Sequence, residues 1–303
     1  VFRGRGAAGR RDSRPEATSE RGNSPLALLG VLGLVFGIVL LVVLVEPDSL
    51  FAGGDGSERG TAPEVRNGFP EPGFDPASLL ENNPVTTRSL RLSGTNCELP
   101  ELTDSAERMA SYYERGVRCL DQAWSGVLDG AGMERRTPEV TSDPEASGCR
   151  EAHGDTRPTA FYCDGTIHLP RKWVLSDIGL EEGSHLMLLA HEYGHHVQRL
   201  SGIMRASAVR ADELERSSPD SLRVTRRLEL QADCFSGMFV ARAVDDGVLD
   251  RGTAERLVGS PGSAKLADSH GSPANQRRWK EAGFRERSTA ACATWTAPED
   301  AVR

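Results

Sequence analysis

The sequence predicts an α+β domain behind a single N-terminal membrane-spanning helix. Three observations lead there. Residues Leu26 to Val45 are without exception apolar or glycine, and a helix needs about 20 such residues to cross a bilayer core. Beyond residue 84, apolar residues recur at steps of three and four over helix-length stretches, the period of an amphipathic helix. Between two of those stretches lies "TAFYCDGTIHLP", two short β-rich runs around an Asp-Gly pair, a strong hairpin signal.

In chain order, residues 1–23 form a basic tail, 24–46 the membrane helix, 47–84 a linker and 85–303 the folded domain. The tail carries Arg3, Arg5, Arg10, Arg11, Arg14 and Arg21 against Asp12, Glu16 and Glu20, and Glu46 and Asp48 follow the span. Positive charge stays in the cytoplasm, so everything after Val45 is expected outside it, as a single-pass cell-membrane protein. A cleaved signal peptide is the alternative, but its apolar region is usually about 7–15 residues. The linker "AGGDGSERGTAPEVRNGFPEPGFDP" has too few spaced apolar residues to offset the entropy of ordering it.

The six cysteines (Cys97, Cys119, Cys149, Cys163, Cys234, Cys292) all follow the span, on the side where disulfides persist. No C-x-x-C pair is present, which argues against a thiolate zinc site. Proximity suggests Cys149 with Cys163, Cys97 with Cys119 and Cys234 with Cys292. The net charge of −8 argues against a nucleic-acid partner, which would need clustered positive charge.

Within the domain, Met109, Tyr113, Val117, Leu120, Trp124 and Val127 mark a helix opened by Asp104/Ser105 and expected to stop before Gly130. A second helix is expected from about Ser184 to Gly202, a third from Ser221 to about Val244, and a short one in "SPANQRRWKEAGF".

The second helix contains "HEYGHH". His191 and His195, four residues apart, differ by about 40° around a helix and project from one face. In H-E-x-x-H the glutamate, Glu192, is the expected general base beside a metal-activated water. His196 points about 140° away from His191 and is left out of the ligand set. A bare H-E-x-x-H arises by chance in roughly one chain in a hundred, so its apolar helical setting matters. A catalytic zinc takes three protein ligands and keeps the fourth position for water. The metzincin extension fails, since Gln198 and Ser201 stand at its glycine and histidine positions. "ELQAD" offers Glu229 as third ligand, with Asp233 one turn on to accept the spare N–H of a ligating imidazole. The competitor is Glu215, nearer in sequence, but Pro219 at its i+4 position ends any helix there.

"HEYGHHVQ" and "ELQADCFSG", with "FYCDGTIHL" upstream and "HGSPANQRRW" downstream, resemble the bacterial family of predicted neutral zinc metallopeptidases over roughly Thr95 to Phe284. The last segment departs from the more regular "HGSSEQR" of relatives at Pro273 and Ala274. The resemblance implies a zincin-like, gluzincin-type metalloprotease domain with Zn²⁺ on His191, His195 and Glu229, Glu192 as catalytic residue, and a peptide or protein as substrate. His270, His168, Tyr162 and Tyr193 are candidates for an oxyanion donor, with an ordinary packed or exposed role as the simpler account of each. Two other readings stand beside a peptidase: a zinc-binding interaction module that cleaves nothing, and a zinc hydrolase of a non-peptide cell-envelope bond.

Overall fold

The computed structural model describes residues 73–142 and 159–303. The expected tail, membrane helix and most of the linker lie outside them, as does Cys149. Among the described residues no helix is long and apolar enough to cross a membrane.

Two short helices, α1 (Pro76–Glu81) and α2 (Pro84–Thr87), come first. Residue composition reads 47–84 as a linker, yet α1 falls inside it. Leu80 is buried with Ile203 and Ala206, and the Asn83 amide donates to the Ser201 carbonyl at 3.0 Å. One well-placed leucine and an N-cap Asp75 suffice where average composition signals none.

The long helix α3 (Ala106–Ala131) buries all six of the residues that predict it. It runs through Gly130 and ends at Gly132, which takes the left-handed conformation (φ 78°). Gly130 serves contact instead, since a Cβ there would crowd the side chain of Leu90.

A three-stranded sheet follows, in the order β1-β3-β2: β1 (Glu139–Thr141) is parallel to β3 (Thr166–His168), and β2 (Phe161–Cys163) is antiparallel to it. Asp164 (φ 46°) and Gly165 (φ 91°) make the tight turn between β2 and β3. Cys163 faces Thr166 across that turn and Tyr162 faces Ile167. In a two-residue hairpin the pair flanking the turn exchanges hydrogen bonds, so the backbone groups of Tyr162 point to the outer edge of the sheet. Among the described residues β2 has no other strand beside it.

The remaining helices are α4 (Arg171–Ile178), α5 (Glu182–Leu200), α6 (Ile203–Asp212), α7 (Pro219–Asp245), α8 (Arg251–Gly259), α9 (Ala267–His270) and α10 (Pro273–Glu286). The core lies between α3, α5 and α7, where Trp124 meets Phe235 edge-on at 5.0 Å. The result is a mostly helical α+β fold with a small sheet. Glycines sit at two close helix crossings. A Cβ on Gly194 of α5 would lie 3.1 Å from the Ala232 Cα of α7. Where α7 crosses α10, a Cβ on Gly237 would overlap the Lys280 carbonyl and one on Gly283 the Cys234 carbonyl. Disulfides join Cys97 to Cys119 and Cys234 to Cys292. Cys163 is also disulfide-bonded, and its predicted partner Cys149 lies outside the described residues.

Candidate metal centre

The crossing at Gly194 and Ala232 brings the H-E-x-x-H face of α5 against the turn of α7 that carries Glu229 and Asp233. His191 Nε2 lies 3.3 Å from Glu229 Oε2 and His195 Nε2 lies 3.2 Å from the same oxygen. A third imidazole joins them, His270 at the end of α9, with its Nε2 also 3.2 Å from that oxygen. His191, Glu229 and His270 offer ligand atoms within 4.8 Å of one another. Glu215 is exposed in the connection between α6 and α7, away from the cluster.

Each imidazole is held by its other nitrogen. His191 Nδ1–H donates to Asp233 Oδ1 at 3.1 Å, because a carboxylate only accepts. His195 Nδ1–H donates to Gln198 Oε1 at 2.8 Å, and the Gln198 amide is oriented by donating to the Leu228 carbonyl and to Gln231 Oε1. Gln231 in turn donates to the Cys292 carbonyl, so the chain from His195 ends at the Cys234–Cys292 disulfide. Such outer partners fix the tautomer and leave Nε2 with its lone pair for an ion.

Burial alone would push the His191 imidazole towards its neutral form, but the Asp233 and Glu229 carboxylates outweigh it and hold its pKa well above the usual range. Burial would likewise raise Glu229, yet His195, His270 and His191 keep it well below the usual carboxylate range. Glu192 is 5% exposed. Burial pushes its carboxyl up more than His191 and His195 pull it down, and the Tyr162 backbone amide is hydrogen-bonded to it. Glu192 therefore sits against the outer edge of β2.

His196 is turned away from the cluster. Its Nδ1 accepts from the Tyr162 hydroxyl at 3.0 Å and its Nε2–H donates to the Arg136 carbonyl at 2.6 Å, tying the hairpin to the segment before β1. The Tyr193 hydroxyl donates to Asp121 at 2.6 Å, and His168 is buried in β3 against Phe161. Of the four oxyanion candidates only His270 faces the cluster. Sequence reasoning passed over Gln198, although i+3 from His195 places it on the same helical face.

The sequence model of the family described as "Putative neutral zinc metallopeptidase" matches residues 72–295. The chain belongs to that family. Among proteins of similar sequence, the uncharacterized protein YpfJ of Escherichia coli (strain K12) is 24% identical over 245 residues, 74% of this chain and 81% of its own length. The uncharacterized protein Rv2575 of Mycobacterium tuberculosis (strain H37Rv) is 25% identical over 266 residues, 75% of this chain and 85% of its own. No solved structure matches.

The zinc in the family's description fits the residues found. Imidazole nitrogen and carboxylate oxygen are its ordinary non-thiolate donors. Three imidazole nitrogens stand 3.2–3.3 Å from one carboxylate oxygen, a set of donors that a single ion could engage together.

Proposed function

We propose that this chain is a zinc-dependent peptidase, anchored by residues 24–46 with its domain outside the cytoplasm, in which His191, His195 and Glu229 hold the ion and Glu192 is the general base. The observation that carries the reading is the convergence of both motif imidazoles on Glu229, each steered from behind by Asp233 or Gln198, with a buried glutamic acid beside them. Bound there, Zn²⁺ would polarise the scissile carbonyl and lower the pKa of a water towards about 7. Glu192 removes a proton from the attacking water and delivers it to the leaving amine. Its raised pKa makes it a stronger base and brings it closer to the working pH. The outer edge of β2 runs past Glu192 and suits an extended peptide that adds to the sheet by backbone hydrogen bonds. The disulfides Cys97–Cys119 and Cys234–Cys292 support a domain outside the reducing cytoplasm.

One observation favours a second reading, a zinc-binding interaction module without turnover: His270 supplies a further nitrogen donor, and closed shells characterise structural sites. A mixed peptide library incubated with the full chain separates the two. Cleavage that is lost on chelation, regained with Zn²⁺ and lost again in Glu192→Gln is the expected result. Tight zinc binding with no peptide cleaved would overturn the peptidase in favour of the module, and absence of zinc binding would overturn both.

A further inference from the structure

His270 is not on the helical faces that build the rest of the centre. It ends the four-residue α9, and its side chain is 26% exposed against 10–15% for His191, His195 and Glu229. The loop that carries it is anchored from outside: Arg226 donates to the carbonyls of Asp268 and Val302, and the Gln276 amide donates to the Gly271 carbonyl at 2.7 Å. Those bonds hold the imidazole with its ring nearly parallel to that of His191, at an interplanar angle of 13°.

The tautomer decides what His270 can do. The Ser269 hydroxyl donates to the Leu266 carbonyl, so its oxygen is left to accept from His270 Nδ1–H at 2.8 Å. With Nδ1–H committed to Ser269, neutral His270 keeps its Nε2 lone pair for an ion; without an ion, an imidazolium Nε2–H faces the Glu229 carboxylate. An oxyanion donor would need a hydrogen there; a metal ligand needs the lone pair. His270 thus repeats the arrangement of His191 with Asp233 and of His195 with Gln198. Atoms about 2.0–2.1 Å from a tetrahedral zinc lie about 3.3–3.4 Å from one another; each of the three Nε2 atoms stands 3.2–3.3 Å from Glu229 Oε2, and the donor atoms of His191, Glu229 and His270 all lie within 4.8 Å of one another, a group that does not include His195.

We infer that His270 is a fourth protein ligand, so that the substrate-free protein closes its ion in a shell of His191, His195, His270 and Glu229. This rests on the zinc reading above and goes beyond it. A shell with four protein ligands leaves no place for water unless coordination expands or one ligand withdraws. His270, the most exposed and the only one outside the two long helices, is the one placed to withdraw.

The test is a count of imidazole rings around zinc by X-ray absorption of the full chain, stripped by chelator and reloaded with Zn²⁺, beside His270→Gln. Three rings in the unsubstituted chain, two in the variant, and an affinity in chelator competition lower by at least about the 10–100-fold that loss of an outer partner costs are expected. Two rings in both, with equal affinity, would overturn the assignment while leaving the zinc site of the proposed function intact. Failure of the unsubstituted chain to hold zinc would overturn the two together. Should the variant not fold, the count in the unsubstituted chain decides by itself.

Discussion

Replacing Gly194 by alanine tests whether the α5–α7 crossing sets the metal centre. The new Cβ would stand 3.1 Å from Ala232 Cα, 3.3 Å from its Cβ and 3.4 Å from its carbonyl oxygen, whereas carbon atoms rest at about 3.5–4.0 Å. Two of the three atoms are backbone, so no rotamer change relieves the contact and the helices must part by roughly 0.5 Å. Over-packing of this kind costs about 1–3 kcal/mol, and alanine returns about 0.8–1.0 kcal/mol of helix propensity. The net loss is about 0–2 kcal/mol, and a domain of this size melts about 2–4 °C lower per kcal/mol. Zinc affinity should suffer more than stability, because Glu229 moves with α7 while His191 and His195 stay with α5, and a site tolerates about 0.2 Å in its ligand distances. Melting of the chelated chain and zinc competition measure the two effects. If Gly194→Ala melts higher by its propensity gain and binds zinc as before, the crossing does not constrain the site.

Glu192→Gln should keep zinc and fold while turnover falls by about 10²–10⁴; undiminished cleavage removes Glu192 as the base. Asp233→Ala should weaken zinc binding by about 10–100-fold and Glu229→Ala should abolish it, whereas Glu215→Ala and His196→Ala leave it unchanged; loss of metal in Glu215→Ala with retention in Glu229→Ala would reverse the ligand choice. Chain entropy predicts that the Cys234–Cys292 bridge, closing 58 residues, stabilises by about 4 kcal/mol, and Cys97–Cys119, closing 22, by about 3 kcal/mol; paired Cys→Ser variants in denaturant check the order. The His185 imidazole, accepting from Tyr113 at Nδ1 and donating to the Gly179 carbonyl, has its pKa lowered by burial against the opposing pull of Gly179, Glu181 and Glu182. The unfolded chain therefore binds that proton first, near its ordinary value of about 6.5, and stability contributed by neutral His185 declines as pH falls through it. Between about pH 7 and about pH 5 the melting temperature of the chelated chain should therefore fall relative to that of His185→Gln, the raised His191 acting alike in both; equal slopes would dismiss this histidine as a cause.

The parts of the centre set by helical period were legible in the sequence. Four-residue spacing puts His191 with His195 and Glu229 with Asp233 on shared faces, and an apolar surround marks both helices as core. The Asp-Gly turn of the hairpin was equally plain, because only a few residue types accept its backbone angles. His270 was not placed, since loop geometry and distant carbonyls, Val302 among them, set its position and no period encodes them. Gln198 was hidden by looking along the chain for ligands instead of for their supports. The end of α3 was misjudged at Gly130 because a glycine spent on close contact looks in sequence like one spent on a turn.

The meeting of Gly194 with Ala232 also separates what may vary in length from what may not. Position in the centre is measured outwards from that contact, along α5 to the histidines and along α7 to the two carboxylates. One residue inserted between His191 and His195, or between Glu229 and Asp233, would swing one member of the pair about 100° around its helix. The turn from Glu213 to Ser217 lies outside that ruler, and insertions or deletions there shift none of these side chains along its helix. Chains built on this centre should therefore share two rigid words with an elastic gap between them. A search pattern that fixes the gap would pass over sound members.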